Sequence, residues 1–173
     1  PVDQLYAEAK ALLEAGNYER SVRYYRRLVA RFPFGKYTEQ AELDTAYAQY
    51  KAGEPEEALS TINRFIRQYP TNKHVDYAYY LRGLINFNRE VGLLERYVAN
   101  DNTRRDLGFA RQSFQDFGEL LKRFPDSRYA EEIWSLYEKG ELHPDLKLTG
   151  QFEVDSHAAD VDAVMLEIKA ALA

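Results

Sequence analysis

Three short strings decide how this chain folds: Phe32-Pro33-Phe34-Gly35-Lys36-Tyr37, Tyr69-Pro70-Thr71-Asn72-Lys73-His74 and Phe124-Pro125-Asp126-Ser127-Arg128-Tyr129. Each reads aromatic, Pro, two variable residues, Lys or Arg, then Tyr or His. An acidic residue follows two positions later (Glu39, Asp76, Glu131). The prolines stand 37 and 55 residues apart. A period in the thirties with two helices per unit points to a stacked helical array. The second interval is longer by 18 residues, which marks an insertion in the third unit.

Each proline ends a stretch with one apolar stripe at helical spacing. The stripes are Tyr18, Val22, Tyr25, Leu28, Val29 and Phe32; then Ala58, Leu59, Ile62, Phe65, Ile66 and Tyr69; then Ala110, Phe114, Phe117, Leu120, Leu121 and Phe124. Proline cannot donate to the helix ladder, so each helix stops there. Partner helices are predicted over roughly 3–15, 37–52 and 74–90. Gly16-Asn17 and Gly53-Glu54-Pro55 close the first two pairs, with glycine for a left-handed residue and Pro55 for the first turn of the next helix. Asp106 is placed to cap the second helix of the third pair. Residues 91–106 form the insertion and read as a long loop; its Leu93, Leu94, Tyr97 and Val98 either dock on another surface or pack on the array itself.

Composition narrows the chemistry. The 173 residues are 45% hydrophobic and 29% charged, an ordinary balance for a folded domain. No apolar run approaches the ~18 residues of a membrane span. The absence of cysteine excludes disulfides, zinc–thiolate sites and a thiol nucleophile. A net charge of −5 provides no basic field for nucleic acid, and no nucleic-acid partner is expected. Fourteen tyrosines against one Met and one Trp suit a surface that grips another polypeptide, because Tyr joins apolar area to a hydrogen-bonding tip.

The repeats resemble the tetratricopeptide repeat. Gly16, Ser21, Tyr25, Leu28 and Pro33 match its turn glycine, small, aromatic, apolar and proline positions. Gly53, Ala58, Ile62, Phe65 and Pro70 match in the second unit, and Gly108, Ser113, Phe117, Leu120 and Pro125 in the third. The stretches 31–41, 64–70, 75–84 and 105–130 are similar to the BamD family, the tetratricopeptide-repeat lipoproteins of the outer-membrane β-barrel assembly machinery. That resemblance covers about residues 3–131 and stops there. The fold it implies is all-α: a tetratricopeptide-like helical-hairpin solenoid of three repeats over 1–131, with a C-terminal extension over 132–173. It implies a non-catalytic scaffold at the periplasmic face of the outer membrane, held by a lipid anchor outside these residues. The implied partners are a BamA-type barrel protein, other assembly lipoproteins and unfolded outer-membrane protein substrates. The alternatives are another periplasmic repeat adaptor, for instance of an envelope division complex, and a cytosolic peptide-binding co-chaperone.

Candidate chemistry is sparse. No nucleophile–base motif, phosphate loop or dinucleotide fingerprint occurs, so no catalytic residue and no cofactor is expected. His74, His143 and His157 lack metal-ligand spacing, and no metal is expected. His143-Pro144-Asp145 reads as a turn. Arg20, Arg23, Arg26, Arg27 and Arg31 share one helix, as a solvated face or a docking patch for an acidic partner. In the resembled family, first-helix positions line a concave face. Those mapped here include Tyr6, Lys10, Leu13, Gln40, Leu43, Tyr47, Tyr50, Lys51, Tyr77, Tyr80, Leu84, Phe87 and Asn88. The peptide-binding candidates are Tyr6, Lys10, Tyr47, Tyr50, Lys51, Tyr77 and Tyr80, joined by Phe32, Phe34 and Tyr37 at the first bend. Rings would bury apolar side chains of an extended segment and lysines would meet a carboxylate; the alternative is that these tyrosines only pack the array. In the tail, Ala130, Ile133, Trp134 and Tyr137 predict a helix over 129–139. Val161, Val164, Met165, Ile168 and Leu172 predict a terminal amphipathic helix that caps the array or pairs with another chain.

Overall fold

The computed structural model describes residues 1–97 and 108–138. Seven α-helices occupy them: α1 (Val2–Glu14), α2 (Tyr18–Arg31), α3 (Thr38–Lys51), α4 (Pro55–Gln68), α5 (Val75–Tyr97), α6 (Gly108–Arg123) and α7 (Arg128–Glu138). No strand occurs among the described residues. None of these helices is long and apolar enough to cross a membrane. The chain divides into two compact units, Pro1–Ile85 and Asn86–Ala173.

The proline strings close in the same way three times. The amide of the aromatic residue completes the preceding helix, with Phe32 N to Leu28 O, Tyr69 N to Phe65 O and Phe124 N to Leu120 O all at 2.8 Å. Proline then ends the ladder. The aromatic carbonyl accepts from the amide three residues on: Gly35 to Phe32 at 3.0 Å, Asn72 to Tyr69 at 3.1 Å and Ser127 to Phe124 at 3.0 Å. A second turn of the same span follows, from Thr38, Val75 and Ala130 to the carbonyls of Gly35, Asn72 and Ser127. These paired turns satisfy backbone groups that the helix end would leave open, and they launch the next helix.

Within a pair, small residues let the helices approach. Ala9 on α1 and Ser21 on α2 are fully buried, and the Ser21 hydroxyl donates to the Ala9 carbonyl at 2.9 Å. Ala46 and Ala58 occupy the corresponding places on α3 and α4. Larger side chains fill the space between: Tyr25 and Leu28 in the first unit of the repeat, Ile62 and Phe65 in the second, all 0% exposed. Phe117 and Leu120 hold the same register on α6 and are likewise fully buried. Leu43, Ala46, Ala58, Ile62, Phe65, Ala78, Leu81 and Ile85 form one continuous core from α3, α4 and the start of α5.

The expected turns hold at Gly16 and Gly53, whose φ values of 74° and 79° lie in the left-handed region that glycine tolerates. Pro55 opens α4 as expected. Two expectations are corrected. The insertion 91–106 does not begin as a loop, because α5 runs on to Tyr97. Val91 to Tyr97 hold no proline, and Leu93, Leu94, Glu95 and Arg96 are residues that helices accept. Gly108 is the first residue of α6 instead of the turn before it. Asp106, His143-Pro144-Asp145 and the terminal amphipathic helix lie outside the described residues.

Substituting Ile62→Ala should cost about 3 kcal/mol by leaving a cavity in a fully enclosed site, measured by urea unfolding. Gly53→Ala should cost about 1 kcal/mol through its backbone alone, since nothing lies within 4 Å of the added methyl.

Candidate functional site

α3 is packed between α2 and α4, so most of its surface is enclosed. After its first turn only Gln40, Asp44, Tyr47, Tyr50 and Lys51 remain open. Gln40, Asp44, Tyr47 and Lys51 follow at i, i+4, i+7 and i+11, which places them in one narrow stripe along the helix. The enclosed faces carry Ala41, Ala46, Ala48, Leu43 and Thr45. Leu43, mapped from the resemblance to the concave face, is 2% exposed and belongs to the core. Its counterpart one repeat earlier, Tyr6, is half-buried because α1 has a neighbour pair on fewer sides.

At the N-terminal end of the stripe, Tyr6 of α1 stacks on Tyr37, the residue that precedes α3. Their ring centroids are 4.4 Å apart and the planes 3° from parallel. Tyr6 also meets Tyr25 at 5.9 Å in a tilted arrangement. The Tyr6 hydroxyl donates to Asp44 Oδ2 at 3.1 Å, and Gln40 Nε2 donates to Asp44 Oδ1 at 2.8 Å. The Tyr37 hydroxyl donates to Asp3 Oδ1 at 2.8 Å, and Lys36 Nζ reaches the same oxygen at 2.5 Å while sitting 4.7 Å above the Tyr37 ring. The stack therefore ties α1 to α3 through aromatic faces and through a carboxylate at each hydroxyl.

Electrostatics separates the two carboxylates. Burial raises the Asp44 carboxyl, opposed by the hydrogen bonds from Gln40 and Tyr6 and by the Lys10 charge. The hydrogen bonds from Lys36 and Tyr37 hold exposed Asp3 low. Tyr6 and Tyr25 are both raised, first by burial and then by the Asp44 charge. The Tyr25 hydroxyl is buried without a hydrogen-bond partner among the described residues.

The other candidates separate by place. Tyr47, Tyr50 and Tyr77 are half-buried with their rings against the α3–α4–α5 core. Tyr80 is half-buried on α5, and Lys51 is exposed at the end of α3. Lys10 is exposed and faces Glu14 at 3.9 Å. Phe32 is half-buried beneath the Arg31 guanidinium, 5.6 Å from its ring. Phe34 is fully exposed. Asp44 escaped the sequence reading, although its place four residues after Gln40 and three before Tyr47 puts it on that stripe, unlike Glu39 and Glu42 of the same helix. Among the described residues no group of His, Asp and Glu is arranged to hold a metal. What the arrangement offers is a ledge of rings interrupted by one carboxylate and bordered by two cations, which suits an extended polypeptide.

A tetratricopeptide-repeat family model matches residues 1–135. The chain is 47% identical over 130 residues to the outer membrane protein assembly factor BamD of Xylella fastidiosa, covering 75% of this chain and 44% of that protein. It is 45% identical over 129 residues to BamD of Neisseria meningitidis serogroup B, covering 75% and 48%. With BamD of Vibrio cholerae the identity is 37% over 132 residues, covering 76% and 55%. The chain thus spans about half the length of the curated relatives it matches.

Asp44 binds its proton more tightly folded than unfolded, so it favours the folded state at acid pH and loses that contribution as pH rises above the ordinary carboxylate range. The stability of the wild type relative to Asp44→Asn should therefore be greatest at acid pH and decline toward neutrality, as read by urea unfolding across pH.

Proposed function

The chain belongs to the tetratricopeptide-repeat family, a family of scaffolds, and on that premise we propose that it is a non-catalytic scaffold of outer-membrane β-barrel protein assembly. It holds extended C-terminal segments of unfolded outer-membrane proteins and docks partner subunits, among them a BamA-type barrel protein and other assembly lipoproteins. Its place is the periplasmic face of the outer membrane. The repeat region over residues 1–131 carries this role. The similarity to assembly factors at 45–47% identity over three quarters of the chain supports the process.

The observation that carries the binding mode is the open stripe of α3, set between the Tyr6–Tyr37 stack and the half-buried Tyr77. Gln40, Asp44, Tyr47 and Lys51 advance along it in steps of three and four residues, so the ledge from Gln40 to Lys51 is about 16 Å long. An extended peptide of about five residues covers that length. Its apolar side chains lie on the rings of Tyr47 and Tyr77, its backbone N–H groups find Asp44, and its terminal carboxylate meets Lys51 or Lys10. Half-buried rings are suited to this, since they are already ordered by the core beneath them and lose little freedom on binding. Phe32 and Tyr50 support the ledge from its borders.

A fluorescently labelled peptide ending in an aromatic residue, titrated by anisotropy, should bind the wild type and bind a Tyr47→Ala/Lys51→Ala variant about tenfold more weakly or worse. Equal affinities would reject the ledge as the binding surface.

A further inference from the structure

The outer face of α2 carries a charge pattern that neither the array nor the peptide ledge uses. Arg20, Arg23, Arg27 and Arg31 follow at i, i+3, i+7 and i+11, a single stripe roughly 16 Å long opposite the buried Val22, Tyr25 and Leu28. All four are exposed, as are Arg26 beside them and Lys36 in the following turn. Glu19 is the sole acid between residues 18 and 36, against five arginines and Lys36, the last of these paired with Asp3, in a chain whose total charge is −5. Among the described residues no carboxylate pairs with Arg20, Arg23, Arg26 or Arg27. Three residues beyond Arg31 stands Phe34, 100% exposed and the one fully exposed large hydrophobic side chain among the described residues.

We propose that this face docks on an anionic lipid bilayer, with the arginines on lipid phosphates and Phe34 in the boundary between headgroups and acyl chains. Charge complementarity calls for an anionic partner, and the shape of the patch selects which one. The cations lie in line along the convex outer side of a helix, where a plane of phosphates meets them together. An acidic polypeptide would be held better by cations around a groove. A protein interface would also need a core of several apolar side chains, and here there is one. Guanidinium groups bind phosphate in a bidentate manner, and a lone aromatic beside a polybasic stripe matches the chemistry of interfacial anchoring. Arg31 keeps its exposed position while its guanidinium lies over Phe32, which orients the end of the stripe next to Phe34.

The test is co-flotation of the full chain with vesicles of phosphatidylcholine mixed with phosphatidylglycerol, and with vesicles of phosphatidylcholine alone. Binding is expected on the mixed vesicles only, and it should fall as salt is added. Arg23→Glu/Arg27→Glu should weaken it by about tenfold or more. Arg23→Lys/Arg27→Lys should keep most of it, and Phe34→Ser should weaken it several-fold. Circular dichroism should show unchanged helix content in all three, since every altered side chain is exposed. The proposal is overturned by equal binding of the charge-reversed variant, by equal binding to uncharged vesicles, or by no vesicle binding at all. It is equally overturned if the chain binds poly-glutamate but not the mixed vesicles.

Discussion

The carbonyl oxygen of the aromatic residue that closes each second helix is the point on which the array turns. Proline follows it, so the helix ladder cannot run on. The carbonyl is taken by an amide three residues later, and that residue's own carbonyl is taken three residues later again. The chain reverses within six residues and starts the next helix with its backbone satisfied. At the first bend the Thr38 hydroxyl adds a bond to the same Phe32 carbonyl at 2.5 Å and accepts one from the Gly35 amide at 3.0 Å. The side chains of these strings vary, but the hydrogen-bond pattern does not.

From this constraint the packing follows. Each reversal lays a first helix beside a second one, with alanine or serine at the close approach and large apolar groups above and below. A helix with neighbours on both sides, such as α3, loses nearly all its surface and keeps one stripe. Several polar side chains that enter the enclosed region are paired: Thr61 donates to Gln49 Oε1 at 2.7 Å, and Arg64 faces the buried Glu42 at 3.5 Å, while the Tyr25 hydroxyl and Gln49 Nε2 stay buried without a partner among the described residues. In the second unit Asn86 donates to the buried Asp116 at 2.9 Å. The face left open on α3 carries rings, an amide, a carboxylate and a lysine, which is what the core did not consume.

Much of the fold was legible in the residues. The proline strings, the three apolar stripes and the turn glycines predicted six helices, with every end but that of α5 within a few residues, because helix periodicity and proline chemistry are local. The start of the insertion was not legible in the same way. Val91 to Tyr97 hold no proline, so nothing local marks residue 90 as a helix end. Gly108 shows the same limit, since a glycine near a helix start reads alike as turn or first residue.

The candidate site was legible as a set of residue types and not as a surface. The residues gave the repeat, and its resemblance to the tetratricopeptide family then pointed to the first-helix positions that include Tyr6, Tyr47, Tyr50 and Tyr77. It did not separate Leu43 from Tyr6, which hold the same register, because burial depends on how many helices flank each one. It also passed over Asp44, whose position matters only once Tyr6 and Gln40 are brought to its two oxygens. Local periodicity and turn chemistry belong to the chain, while enclosure, and with it the choice of the exposed stripe, is created when neighbouring helices remove water from every other face.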